Sequence, residues 1–136
     1  MTPELTALTA AALLQVIQFA LMSITANLDV GTGKTMSPRD PGRLGGAVNE
    51  ILSEKPGRLY RAFNNHFEGL IMFTIAVVVV TLGEQSSGVT ATAAWVYVAA
   101  RVAYVPAYYF GWAPWRSVIW FVGFLATMLM IVSAIL

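Results

Sequence analysis

The stretch "RAFNNHFEGLIMFTIAVVVVTL", Arg61 to Leu82, decides the fold. From Gly69 onward it is almost wholly apolar, yet Arg61, Asn64, Asn65, His66 and Glu68 crowd its opening. A soluble amphipathic helix spreads its polar residues along one face over its whole length. Here they gather at one end, as in a helix that enters a bilayer with polar work at its mouth. A hydrocarbon core of roughly 30 Å takes about 20 helical residues at a rise of 1.5 Å each, and residues 62–82 meet that length.

Three more runs of this kind follow from the same criterion, at approximately 5–28, 89–110 and 115–136. The last three are joined by short links, which makes sequential helices antiparallel neighbours. The fold class expected is therefore all-α, an integral membrane four-helix bundle forming a single domain over residues 1–136. Composition agrees: of 136 residues 57% are hydrophobic and 11% charged, far from the balance of an average soluble domain. The opening "MTPELTALTAAALLQVIQFALMSITANL" lacks a basic start and is too long for a signal-peptide core, so it reads as a retained span.

Residues 29–60, "DVGTGKTMSPRDPGRLGGAVNEILSEKPGRLY", break the pattern with glycine, proline and charge. They read as a solvated loop with one short helix near Ala47 to Ser53. Lys34, Arg39, Arg43, Lys55 and Arg58 lie in it, whereas "GEQSSG" between the second and third spans has no basic residue. The positive-inside rule then puts the long loop in the cytoplasm, together with the turn at Gly111 to Pro114. Tyr108, Tyr109, Trp112 and Trp115 suit that interface as an aromatic belt.

Several function classes drop out. Without cysteine there is no disulfide framework, thiolate nucleophile or cysteine-bound metal, and a single histidine cannot build a His-rich metal site. A net charge of +1 with no basic stripe argues against nucleic acid as a partner. Any thiol chemistry must arrive with a bound ligand.

Charged side chains inside a membrane cost about 2.5 to 3.5 kcal/mol even on the lenient insertion scale. Glu68 and Arg101 fall at similar depths, about 10 and 14 Å from the cytoplasmic edge by helical rise, and are expected to pair. Such a pair could simply hold two helices in register. It has polar neighbours, however. Arg61, Asn65, Glu68 and Met72 share one helical face, and Tyr97, Arg101, Tyr104 and Tyr108 share another. Arg116 and Ser117 open the fourth span at the same level, so the set offers guanidinium forks, an amide and phenols to a small anionic ligand. Each residue also has a plainer reading, as a helix bridge, an interfacial anchor or a snorkelling cation.

Other residues read differently. His66 points roughly 100° away from Asn65 and is expected at the interface, outside the site. Pro106 removes a donor from the third span and is expected to bend it. Gln15 and Gln18 are expected to face a protein partner at mid-membrane.

"RAFNNHFE" resembles the R-A-x-x-N-x-x-E pattern of the MAPEG family, membrane-associated proteins of eicosanoid and glutathione metabolism. "SPRDPGRLGG", "ARVAYVPAYY" and "APWRS" resemble further family segments in the same order, so nearly the whole chain is covered. Within the family the likeness is to a bacterial-type member similar to microsomal glutathione transferase and prostaglandin E synthase. The resemblance implies a homotrimer with glutathione held between subunits on the cytoplasmic side. By position Arg61, Asn65, Glu68, Tyr104 and Tyr108 would hold glutathione, while Arg116 with Ser117 would stabilise its thiolate. Asp40 matches an aspartate proposed to handle protons in the prostaglandin E synthase branch; in a polar loop, a cap or a salt bridge is the alternative. Three positions depart from the pattern: Asn64 and Asp29 stand at or near arginines of relatives, and Trp120 replaces a tyrosine.

The function expected is a glutathione-dependent transferase or peroxidase acting on lipophilic electrophiles that arrive from the membrane. The alternative is a non-catalytic lipid- or ligand-binding protein on the same scaffold. A transporter ranks last, because no inverted repeat or broken helix is present.

Overall fold

The structure, a computed structural model, describes residues 1–136. Four helices are long and apolar enough to cross a membrane: α1 (Pro3–Val30), α5 (Glu54–Leu82), α6 (Gly88–Tyr109) and α7 (Ala113–Ile135). Local chemistry sets their ends. The Thr2 hydroxyl accepts the Leu5 N–H at 3.3 Å ahead of Pro3, which needs no donor in the first turn. Ser87 and Thr90 cap α6 reciprocally, with N–H to hydroxyl distances of 2.8 and 3.2 Å. Gly31, at φ 94°, ends α1 in backbone geometry that a side chain would resist.

The helices begin earlier than the apolar runs. α5 starts at Glu54 rather than near Ala62, and its 29 residues make about 44 Å of helix, more than a hydrocarbon core is thick. Hydropathy marks where lipid begins, whereas the helix is limited only by its caps. The first turns of α5 therefore project as polar helix beyond the membrane, and Pro56 is tolerated because the first turn needs few donors. In the long loop, α4 (Val48–Ile51) falls where one helix was expected, and α2 (Thr32–Thr35) and α3 (Pro41–Leu44) add two further single turns. Asp29 accepts the Ser53 N–H at 2.7 Å and its hydroxyl at 2.8 Å, tying the end of α1 to the start of α5.

α5 and α6 form the central pair, and each packs on both α1 and α7. In lipid, apolar surface gains little from leaving its solvent, so helices associate through close van der Waals fit and polar contacts. The core follows that rule. Ala7, Ala11, Ala76 and Ala94 are fully buried and let the backbones approach, while Phe73 of α5 stacks on Tyr97 of α6 at 3.9 Å. Large side chains such as Leu13, Ile17, Ile71 and Val102 are exposed, as suits a lipid-facing surface.

Polar residues penetrate this core more deeply than expected. His66 is fully buried, its Nε2 at 3.1 Å from the Ala11 carbonyl, and is not interfacial. The turn that carries it away from Asn65 aims it at α1, where a small alanine leaves room for the ring. Gln18 is likewise buried, so α1 turns it toward its own neighbours rather than toward a partner subunit, while Gln15 is half-buried. Glu4 is fully buried; it accepts the Ser86 hydroxyl at 3.0 and 2.9 Å and the Thr90 hydroxyl at 2.5 Å, stapling α1 to the α5–α6 turn.

Candidate functional site

The long-loop end of the bundle brings three helices together around cationic side chains. Arg58 begins the arrangement. It pairs with Glu54 at 2.5 Å and donates to the Tyr109 carbonyl at 3.2 Å, beside Gly111 at φ 74°. A Cβ at Gly111 would lie only 2.9 Å from the guanidinium, so glycine permits this close approach as well as the turn. The contact anchors α5 to the α6–α7 turn and sets the register of the residues one turn deeper.

There Arg61 Nε donates to the Tyr108 hydroxyl at 3.2 Å. Arg116, from α7, lies over the face of the same ring at 4.7 Å from its centre, and Tyr104 meets Tyr108 edge-on at 5.5 Å. Guanidinium groups stack well on phenol faces while keeping their N–H edges free for a ligand. One further turn in, Arg101 is 4% exposed and sits between the rings of Tyr97 and Tyr104, at 5.3 and 5.7 Å. Its Nη1 donates to Asn65 Oδ1 at 2.8 Å.

The expected pairing of Glu68 with Arg101 is not formed; Glu54–Arg58 is the sole ion pair of the chain. Glu68 lies at the exposed edge of its helical face, and Asn65, one turn away, supplies Arg101 with a neutral acceptor instead. Bringing the carboxylate inward would add a second desolvated charge, whose cost several kcal/mol of attraction must first offset. Equal depth along two helices was a sound reading, but depth does not determine the direction in which a side chain points.

Two adjoining cavities result. The outer one, of about 240 Å³, is lined by Asn65, Tyr104, Tyr108, Arg116, Ser117 and Trp120. The inner one, of about 190 Å³, includes Glu68, Gly69, Met72, Tyr97 and Arg101 and shares Asn65 and Trp120 with the first. Of the residues read from the sequence, Asn65, Tyr104, Tyr108, Arg116 and Ser117 therefore meet in one groove. Glu68 joins its deeper extension, and Arg61 reaches the group through Tyr108. Ser117 is exposed and its hydroxyl donates back to the Ala113 carbonyl at 3.4 Å. Asp40, in contrast, precedes α3 in the loop without a side-chain capping bond.

Gly69 was missed by sequence reasoning. A Cβ there would overlap the Arg101 guanidinium and come within 3.2 Å of the Tyr97 hydroxyl, so the absence of a side chain is what admits the arginine between α5 and α6. The available signal was its place four residues after Asn65, on the polar face itself.

Arg101 and Arg116 thus line adjoining cavities, with Arg61 held beside them on Tyr108, and none of the three is in an ion pair with a carboxylate. Arg101 Nε and the Tyr97 hydroxyl are buried without a hydrogen-bond partner. Guanidinium, amide and phenol donors in this excess fit a small ligand rich in acceptors.

No curated protein and no solved structure matches the chain. Residues 7–136 match the model of the MAPEG family, and with nearly the whole length covered, this integral membrane protein belongs to the MAPEG family.

Proposed function

We propose that the chain is a glutathione-dependent membrane transferase or peroxidase acting on lipophilic electrophiles. Membership places it in a family tied to glutathione or eicosanoid metabolism in membranes. The observation that carries the finer reading is the groove between α5, α6 and α7, where the Arg101 and Arg116 guanidinium groups line adjoining cavities and neither is in an ion pair with a carboxylate.

In this reading glutathione lies along the outer cavity. Arg61 and Asn65 receive its acceptors, Tyr104 and Tyr108 line its path, and Arg116 faces its sulfur with Ser117 beside it. A permanently charged guanidinium near a thiol favours the ionised form, and each unit of lowered thiol pKa represents about 1.36 kcal/mol. The thiolate then attacks an electrophilic carbon delivered from the lipid, and the leaving group departs with the electron pair of the broken bond. A second and third copy of the chain would close the open side of the groove, in line with a homotrimer.

Calorimetry of the detergent-solubilised protein with glutathione, followed by conjugation to chlorodinitrobenzene, tests this reading. Binding and turnover are expected; no heat at millimolar glutathione would sink it. A non-catalytic ligand-binding role has one observation in its favour, namely that the Ser117 hydroxyl is turned back onto its own helix. Glutathione binding without conjugation of any electrophile would select that role.

A further inference from the structure

On another flank of the bundle, α1, α5 and α6 leave an open groove of about 300 Å³ at the long-loop end. Its walls are Leu21 and Thr25 from α1, Leu59 from α5, and Val105, Pro106 and Phe110 from α6. Leu21, Pro106 and Phe110 are exposed, so the groove opens outward, where a membrane-spanning chain meets lipid. The Thr25 hydroxyl donates to the Leu21 carbonyl at 2.8 Å, and Pro106 has no N–H to offer. The walls therefore offer a ligand apolar surface and little else.

The mouth of the groove is different. Tyr109 closes that end, and Lys55 Nζ lies over its ring at 5.5 Å from the centre. Lys55 and Leu59 are four residues apart on one face of α5, so Lys55 stands about 6 Å beyond the apolar wall. The headgroup layer of a bilayer adds roughly 5 to 8 Å on each side of the hydrocarbon core, which sets the ammonium at the level of lipid phosphates. The neighbouring carboxylates are already engaged: Glu54 pairs with Arg58, and Asp29 accepts the Ser53 N–H and hydroxyl. Lys55 is exposed and in no ion pair.

We propose that this groove binds an anionic phospholipid, with one acyl chain along α1 and α6 and the phosphate on Lys55. Such a lipid joins a hydrocarbon chain to an anion in the order in which the groove presents apolar wall and cation. A zwitterionic lipid carries its own cation and gains less from the lysine. The site lies outside the glutathione groove and does not rest on that reading, yet it adjoins a contact that shapes it. Tyr109, which closes the lipid groove, accepts the Arg58 guanidinium at its carbonyl at 3.2 Å, and Tyr108 beside it holds Arg61. Helices in lipid associate through close fit, so a chain filling the groove braces α1 against the end of α6 that carries both tyrosines.

Native mass spectrometry of the full chain in detergent, titrated with dioleoylphosphatidylglycerol and separately with dioleoylphosphatidylcholine, tests the charge. The native protein is expected to bind the anionic lipid about fivefold more tightly, the worth of one lysine at an anionic lipid surface. Lys55→Gln changes an exposed residue, leaves the walls intact and should abolish the preference. Lys34→Gln, which removes another exposed cation of the long loop, should keep it. No preference in the native chain, a preference that survives Lys55→Gln, or an equal loss in Lys34→Gln overturns the inference. Phosphatidylglycerol with a photoactivatable diazirine in the upper half of one acyl chain tests the place. Crosslinks are expected on Leu21 and Thr25 of α1 and Val105 of α6; labelling spread evenly over the four spans, or confined to another face, overturns it as well. Both readouts are made without glutathione, so they stand or fall separately from the proposed activity.

Discussion

The two ends of this bundle each bury charge among helices, and they do it in opposite ways. At the end opposite the long loop, Glu4 is fully buried and accepts three hydrogen bonds from Ser86 and Thr90, so its acceptor capacity is used by the chain itself. At the long-loop end, Arg101 and Arg116 line adjoining cavities among phenols and one amide, Arg61 is held on Tyr108 beside them, and none of the three is in an ion pair. A satisfied buried charge is a staple, whereas guanidinium groups beside a cavity with no ion pair make a candidate site for a ligand. Burial alone distinguishes nothing; the state of the hydrogen bonds does.

The comparison is most easily broken at its closed end. Glu4→Ala removes the acceptor of the exposed Ser86 hydroxyl and one of the two acceptors of the buried Thr90 hydroxyl, and is expected to cost about 1 to 3 kcal/mol in thermal unfolding in detergent. Glutathione affinity of the protein that remains folded should be unchanged. A stability loss under 1 kcal/mol would mean that the staple is incidental.

At the open end the effects should appear in turnover before stability. Arg116→Ala is expected to lower kcat with chlorodinitrobenzene about 10- to 100-fold, the equivalent of one or two units of thiol ionisation, with a smaller change in glutathione affinity. Arg61→Ala should show the reverse balance. Finding the two patterns exchanged would reassign the roles of these arginines.

Gly69→Ala is the next largest change. The added methyl would meet the Arg101 guanidinium, so overpacking of about 1 to 3 kcal/mol is expected, read as a lower unfolding temperature. The smallest effect belongs to Glu68→Gln. With no ion pair to lose, stability should remain within about 0.5 kcal/mol of the native chain. A loss of several kcal/mol there would restore the Glu68–Arg101 pairing that the structure lacks.

Much of this was legible in the chain. Four apolar runs of membrane-spanning length, short links after the second and third, and polar residues at helical spacing give the architecture and the faces of the groove. Of the residues that the family resemblance selects, Asn65, Tyr104, Tyr108, Arg116 and Ser117 line one cavity, Glu68 lines the deeper one and Arg61 lines neither. The misreadings share a cause. For Glu68, His66 and Gln18 the spacing along a helix was legible, but their targets depended on the rotation of that helix against its neighbours. His66 found Ala11 because α1 crosses there, and Arg101 found Asn65 because Gly69 opened the space.

The sequence by itself determined what a one-dimensional pattern can encode: how many spans there are, which residues share a helical face, and which polar groups must enter the membrane at a cost. Only the tertiary structure decided which of those groups are satisfied. "RAFNNHFEGLIMF" opens wet because its polar residues serve three separate neighbours: Arg61 reaches Tyr108, Asn65 takes Arg101, and His66 turns to α1. Hydrogen bonds are short and directional, so pairing depends on side-chain geometry across helices, which no spacing along one helix can specify.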